Sequence, residues 1–178
     1  QERLAFEDAG DGRQAALIGK DAWRFAIPLV KVDGGWRFDL VAGKDELLTR
    51  RIGRNELFAI ETMHACMDAQ REYHQQPRDG NPIAYARRFK STSGRHDGLF
   101  WPSGPNDQKS PVGEFLAAAC PEDDGTGTAD IAPFHGYYYR ILTCQGRSAP
   151  GGEKTYLDQD GRLTGGCGSR LAGCRWRS

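Results

Sequence analysis

Asn55-Glu56-Leu57-Phe58-Ala59-Ile60-Glu61-Thr62-Met63-His64-Ala65-Cys66-Met67-Asp68-Ala69-Gln70-Arg71-Glu72-Tyr73-His74 reads as the central helix of the chain. Leu57, Ile60, Met63 and Met67 recur at helical spacing as one apolar stripe. Phe58, Thr62, Cys66, Ala69 and Tyr73 form a second stripe beside it, while Glu61, Asp68 and Glu72 take the other side. An apolar surface this wide predicts a helix packed against a sheet, so the fold class turns on what flanks it. His64, at the margin of the stripe, reads as a boundary residue rather than a ligand.

Toward the N-terminus the chain reads as strands. Residues 14–19 are a short apolar run, and residues 24–32 are another, interrupted by Pro28. Proline cannot donate to a ladder, which predicts an edge strand there. Asp33-Gly34-Gly35 is a hairpin signal. Trp36-Arg37-Phe38-Asp39-Leu40 then alternates apolar and polar, which predicts a half-buried strand turning Trp36, Phe38 and Leu40 to a core. Between this hairpin and the central helix, residues 44–51 read as a short separate helix. Its acids Asp45 and Glu46 lie at the start and Arg50 and Arg51 at the end, matching the macrodipole, and Gly53 is placed to stop it.

Toward the C-terminus, residues 77–80 break the central helix. Asn81-Pro82 is placed to cap a helix over 83–90. Residues 91–97 read as loop, and Leu99-Phe100-Trp101-Pro102 as an apolar patch tucked beneath it. Ser110-Pro111 opens a predicted helix over 112–120, and residues 121–133 form a Gly- and Asp-rich loop. Residues 136–144 read as a strand, and a last hairpin joins 155–157 to 162–164 through Gln159-Asp160-Gly161. The expected fold class is α+β: a short N-terminal antiparallel hairpin, a long central helix with shorter helices, and antiparallel C-terminal strands. Expected divisions are an N-terminal hairpin segment over residues 1–43, an α+β core over 44–166, and a tail over 167–178.

Composition narrows the function classes. The chain has 178 residues, 38% of them hydrophobic, with 24 basic and 24 acidic side chains. Such a chain can bury a core, and its neutral balance gives no electrostatic footprint for nucleic acid or an anionic membrane. Pairs such as Arg50-Arg51 and Arg87-Arg88 read as solvated helix faces. No apolar run reaches the roughly 20 residues that span a bilayer. Gln1 is followed by charge rather than an apolar stretch, and there is no initiator Met, so the chain reads as processed or trimmed. Five cysteines (Cys66, Cys120, Cys144, Cys167 and Cys174) are irregularly spaced, with no CxxC. Cys66 and Cys120 read as buried thiols in apolar helical settings.

Several blocks carry a family resemblance. They are Trp23-Arg24-Phe25-Ala26-Ile27-Pro28-Leu29-Val30, Gly34-Gly35-Trp36-Arg37-Phe38-Asp39, Arg51-Ile52-Gly53-Arg54-Asn55-Glu56-Leu57, Asp68-Ala69-Gln70-Arg71-Glu72-Tyr73, His96-Asp97-Gly98-Leu99-Phe100-Trp101-Pro102 and His135-Gly136-Tyr137-Tyr138-Tyr139-Arg140-Ile141-Leu142. In that order they closely resemble the bacterial family catalogued as domain of unknown function 2950, from about residue 12 to residue 166. The resemblance implies an exported protein in a periplasmic or cell-surface setting, and it carries over no functional residues. At fold level, the hairpin through Trp36 resembles the closing strands of a nuclear-transport-factor-like cone, and the stretch from Asn55 onward resembles a pilin head.

Candidate chemistry is sparse. Arg78-Asp79-Gly80-Asn81 resembles part of a calcium loop, but Pro77 stands where an acid is needed and no bidentate acid follows, so a plain turn and helix cap is the better reading. Glu122, Asp123 and Asp124 read as a solvated acidic loop. His135-Gly136 with Gly166-Cys167-Gly168-Ser169-Arg170 resembles elements of the LD-transpeptidases, which pair a Cys nucleophile with His. Thr164-Gly165 stands where that family has Ser-His, and His135 otherwise reads as the entry to a strand. Tyr137, Tyr138 and Tyr139 cannot all face one way in a strand, and the outward ones, with Phe100 and Trp101, would suit a recognition surface. No catalytic, cofactor-binding or metal-ligating residue is assigned, and no cofactor is expected. The leading reading is a non-enzymatic exported protein acting through protein contacts, with envelope proteins as partners and no nucleic acid. Its alternatives are a small-ligand module with a cavity lined by Trp23, Phe25 and Trp36, and a cysteine-dependent cell-wall enzyme using Cys167. Enzyme activity is left open, though the lack of a catalytic constellation argues against it.

Residues 167–178 have no strand periodicity and consist of residues with GC-rich codons. We read them as an out-of-frame translation. Sequencing the coding DNA from the Thr164 codon to the stop is expected to show a second frame that continues into alternating apolar residues. A gene with no such frame would make the tail, with Cys167 and Cys174, genuine.

Overall fold

The computed structural model describes residues 3–120 and 133–164. The fold is α+β, with antiparallel N-terminal strands, one long helix and antiparallel C-terminal strands. The chain divides into two compact units, Gln1–Glu56 and Leu57–Ser178.

In the first unit, β1 (Leu4–Gly10) pairs with β2 (Arg13–Ile18) through the two-residue turn Asp11-Gly12. Both turn residues have positive φ, 52° and 71°, the twist that two-residue hairpins require. The run over 24–32, expected as an edge strand because of Pro28, is instead two strands. β3 (Trp23–Arg24) and β4 (Leu29–Val32) lie on either side of Pro28 and both pair with β2. β5 (Gly35–Phe38) closes on β4, with Val32 opposite Gly35 across the Asp33-Gly34 turn, so β4 lies inside the sheet between β2 and β5.

β5 ends where Asp39 caps the helix α1 (Leu40–Tyr73). Asp39 Oδ1 accepts the Ala42 N–H at 3.1 Å, its carbonyl accepts the Gly43 N–H at 2.9 Å, and its Oδ2 takes the Arg13 Nε–H at 2.9 Å. Backbone donation by Ala42 and the Arg13 bond hold the Asp39 carboxyl below its usual range. This cap corrects the sequence reading twice. Leu40 is the first helical residue rather than the end of a strand, and residues 44–51 are the interior of one 34-residue helix. Gly53 does not adopt a left-handed conformation and does not end the helix. A single interior Gly costs about 1 kcal/mol relative to Ala, too little to break a helix with no Pro nearby. Glu46 and Arg50, read as opposite helix ends, form an i,i+4 ion pair at 2.8 Å.

In the second unit the core is built on the second stripe of α1. Ala59, Cys66, Ala69 and Tyr73 are buried together with Phe89, Leu99, Trp101, Tyr139, Ile141 and Leu163. The first stripe is wetter than expected: Leu57 and Ile60 are exposed and Met63 is half-buried. Gln70, 1% exposed, is the polar member of this interface. Its Nε2 donates to the Ala86 carbonyl and its Oε1 accepts the Ala86 N–H, both at 2.9 Å. The side-chain amide thereby pairs with one residue of the 81–90 segment as a neighbouring strand would.

That pairing explains why the helix expected over 83–90 is absent. The Tyr85 N–H donates to the Leu163 carbonyl, and the carbonyls of Arg88 and Phe89 accept from Leu99 and Phe100. Backbone groups bonded outward cannot also close helical turns, and a short isolated helix has little stability of its own. Gly98 allows the approach of 98–100 to this segment, since a Cβ there would stand 2.8 Å from the Ser91 nitrogen and 2.9 Å from the Lys90 carbonyl carbon. Leu99 and Trp101 are buried beneath the loops as expected.

The helix expected over 112–120 is shortened to α2 (Glu114–Ala118), because the Val112 N–H is taken by the Leu99 carbonyl and Gly113 becomes the N-cap. The strand expected over 136–144 is mostly not a ladder. Its alternation nonetheless holds: Tyr137, Tyr139 and Ile141 are buried and Arg140 is exposed. Regular pairing begins at β6 (Cys144–Gln145) with β7 (Lys154–Thr155). The last hairpin forms as isolated pairing of Leu157 with Leu163 around the Asp160-Gly161 turn.

Replacing Gln70 with Leu keeps the bulk and removes both bonds to Ala86. Two buried backbone groups are then orphaned, at roughly 1–3 kcal/mol each. Chemical denaturation is expected to show a loss of about 2–4 kcal/mol for Gln70→Leu, against a near-neutral effect for Leu57→Gln on the exposed side of the same helix.

Candidate functional site

Two of the blocks quoted above meet the Arg78-Asp79 turn in the second unit. Tyr73 comes from the end of α1, Arg78 and Asp79 from the turn that follows it, and His96 and Trp101 from the loop and apolar patch beyond. Asp79 and Gly80 have φ of 50° and 76°, and the Asn81 N–H donates back to the Arg78 carbonyl at 2.8 Å. This is a tight type I′ turn. The calcium-loop resemblance is thus a turn, as preferred, but Asn81 caps no helix. The turn aims the Asp79 carboxylate at His96, whose backbone N–H donates at 2.6 Å and whose Nδ1 lies 2.9 Å away. These two contacts, the backbone one foremost, hold the Asp79 carboxyl below its usual range. His96 stands edge-on to Trp101 at 4.7 Å, and its carbonyl accepts the Tyr73 hydroxyl at 2.8 Å. Burial pushes the Tyr73 phenol up, so it remains a neutral donor, although Arg78 pulls it the other way.

Arg78 is the centre of this cluster. Its guanidinium lies 4.8 Å from the Tyr73 ring centroid and 5.1 Å from that of Trp101. Cation–π contact with two rings offsets part of the cost of burying the charge. Arg78 also lines a pocket of about 640 Å³. Five arginines (Arg78, Arg87, Arg88, Arg140 and Arg162) and two aspartates (Asp97 and Asp160) border it. The pair Arg87-Arg88 therefore does not lie on a helix face: Arg87 is exposed, Arg88 is half-buried with its Nη1 3.1 Å from the Thr92 hydroxyl, and both face this pocket. Sequence reading missed the site because its charges are scattered over residues 78–162 and balanced by acids elsewhere. The available signal was an Arg directly before an Asp-Gly turn and shortly after an aromatic-ended helix.

The other sequence candidates fall apart. His135 and Gly136, with φ of 51° and 82°, form the turn of a two-residue hairpin in which Phe134 and Tyr137 exchange both backbone bonds. The His135 ring stacks on Phe58 at 4.4 Å. It serves as a turn residue. Cys167 and Cys174, and the acids Glu122, Asp123 and Asp124, lie outside the described residues. Of the residues read as a recognition surface, Trp101 is buried in the core with the inward Tyr137 and Tyr139, while the outward Tyr138 and Phe100 are half-buried. Cys66 and Cys120 are buried and Cys144 is exposed. Among the described residues no group of His, Cys, Asp and Glu is placed to hold a metal ion, and no helix is long and apolar enough to cross a membrane.

The first unit carries a different feature. The strand registers put Leu4, Phe6, Ile18, Trp23, Trp36 and Phe38 on one face of the sheet. All six are exposed, from 44% at Ile18 to 62% at Leu4. Trp36 and Phe38, expected in a core, are thus on an open face, as is Trp23, expected in a cavity wall. Phe25 packs edge-on between Trp23 and Phe38, with centroids 6.0 and 5.9 Å away. The sequence alternation was read correctly, but period 2 says only that one face is apolar and not what covers it.

The described residues define an α+β protein with an arginine-lined pocket and an open apolar sheet face. The chain belongs to the family described as protein of unknown function (DUF2950), whose model matches residues 1–169. No curated protein and no solved structure matches it.

The Asp79 contacts favour its charged form, so they contribute stability above the ordinary carboxyl pKa of 3.8 and lose it as pH falls through the lower folded value. At neutral pH, Asp79→Asn is expected to be less stable than the wild type by about 1 kcal/mol. The gap should close on titration below pH 3.8, as followed by urea denaturation at each pH.

Proposed function

We propose that this chain is a non-enzymatic, exported envelope protein that works by binding another protein through the apolar face of its N-terminal sheet. The observation behind this reading is the alignment of Leu4, Phe6, Ile18, Trp23, Trp36 and Phe38 on one exposed face. Soluble proteins rarely leave a contiguous apolar patch of this kind uncovered unless it receives a partner. Tryptophan and other large aromatics are also the side chains most often found as binding hot spots. The exported setting is supported by the family resemblance alone. A second reading, a small-ligand module, draws its support from the pocket of the second unit rather than from a cavity around Trp23, Phe25 and Trp36.

The test compares wild type with the double variant Trp23→Ser, Phe38→Ser. Both sites are exposed, so the fold should tolerate the change. Wild type is expected to fractionate with the envelope and to recover a protein partner from envelope extract. Each lost aromatic anchor, at about 2 kcal/mol, should weaken that capture roughly 30-fold. Equal recovery by the double variant, or a strictly monomeric wild type that recovers nothing, would sink the reading.

A further inference from the structure

β1 is an edge of the N-terminal sheet: among the described residues it pairs with β2 and with no other strand. The Gly19 N–H donates to the Arg3 carbonyl at 2.9 Å, which carries the ladder one residue beyond β1 and fixes its phase. In an antiparallel pair the residues alternate between exchanging backbone bonds and facing away. Arg3, Ala5 and Glu7 therefore bond to β2, and Leu4, Phe6 and Asp8 turn their N–H and C=O groups outward. The Phe25 N–H reaches the Ala16 carbonyl on the far side of β2, as that phase requires for the residue opposite Phe6. Every residue from Arg3 to Asp8 is exposed, and no described residue takes up the outward groups. Such an edge is a template for another strand.

The side chains select which strand. A second copy of β1, laid antiparallel across a two-fold axis through Ala5, sets Leu4 against Phe6 of the other copy and Arg3 against Glu7. Leu4 and Phe6 then exchange four backbone bonds across the axis, and the apolar faces of the two sheets join into one. Arg3 and Glu7 fall at a position without backbone bonds, where facing side chains come closest. Arg3 has no ion pair among the described residues. Glu7 meets Arg24 through one oxygen only, at 3.3 Å, and its side chain is 43% exposed. Other registers lose this match. An axis through Phe6 sets Asp8 against Leu4, and one through Glu7 sets like charges against each other. The bulge between Asp8 and Gly10 ends the regular edge just past the matched residues.

We propose that two copies of this chain associate edge to edge through β1, in the register that opposes Arg3 to Glu7 and Leu4 to Phe6. The contact is made by the strand edge, and its charged pairs lie on the face opposite the six apolar side chains. It and the protein-contact reading can therefore fail separately.

Analytical ultracentrifugation of the full chain over a range of concentrations tests it. The wild type is expected to pass reversibly from one-chain to two-chain mass. Arg3→Glu meets Glu7 of the other copy with a like charge, and Glu7→Arg does the same to Arg3. Each variant puts two like-charge pairs into the dimer and should weaken it about 10-fold or more. An equimolar mixture of the two variants restores opposite charges at both positions and should regain the wild-type affinity. Phe6→Pro removes an outward N–H and leaves the β2 ladder alone, so it should stay monomeric with an unchanged circular dichroism spectrum. A one-chain wild type at every concentration up to about 1 mM overturns the proposal. So does a dimer that keeps its affinity in Arg3→Glu, or a mixture of the two charge variants that does not re-associate. A dimer dissolved by the double variant Trp23→Ser, Phe38→Ser but not by Arg3→Glu forms through the apolar face instead, and overturns it too.

Discussion

The pair of hydrogen bonds between the Gln70 side chain and the backbone of Ala86 fixes the organisation of the second unit. α1 can present only side chains, because its own backbone groups are spent within the helix. The 81–90 segment is extended and needs partners for its amides and carbonyls. A buried glutamine supplies one donor and one acceptor at the spacing of a peptide group, so a helix can stand in for a strand. Once Ala86 is held there, Phe89 enters the core and the Arg88 and Phe89 carbonyls can receive Leu99 and Phe100. Leu99 in turn takes the Val112 N–H, and the register of everything up to α2 follows.

The same arrangement leaves Arg78 where it is. Five residues after α1 ends, at Arg78, a turn with two left-handed residues begins and folds the chain back, and the guanidinium is enclosed between an aromatic ring from the helix and another from the apolar patch. Asp79 does not neutralise it, being committed to His96. A charge this buried is usually met by a carboxylate of the same protein. Here the nearest acid of the turn points elsewhere, and the rings of Tyr73 and Trp101 are what the guanidinium meets.

Much of the fold was legible. The N-terminal hairpins, the interruption at Pro28, the buried stripe through Cys66, Ala69 and Tyr73, the tucked Leu99-Trp101 patch and the last hairpin all follow from period and turn chemistry. The errors share a cause. At Gly53, at 83–90 and at 112–120 the local signals were real, but the decision lay with partners distant in sequence. Asp39 was read as one polar position in a strand because alternation does not distinguish a strand residue from an N-cap. The candidate site was the least legible part. Its members are ordinary residues individually, and only the three-dimensional meeting of residues 73, 78, 96 and 101 gives them a joint meaning.

Two of the Asp-Gly turns, Asp11-Gly12 and Asp79-Gly80, differ in one further respect, how they age. An aspartate followed by glycine is the step at which a backbone nitrogen most readily attacks the side-chain carboxyl, giving a succinimide and then an isoaspartyl link with an extra methylene in the main chain. Asp11 is 90% exposed in its side chain, with only a 3.4 Å contact to Arg13. The Asp79 carboxylate is gripped by two nitrogens of His96. Of these two turns, chemical wear therefore falls sooner on the tip of the β1–β2 hairpin than on the turn that carries Arg78.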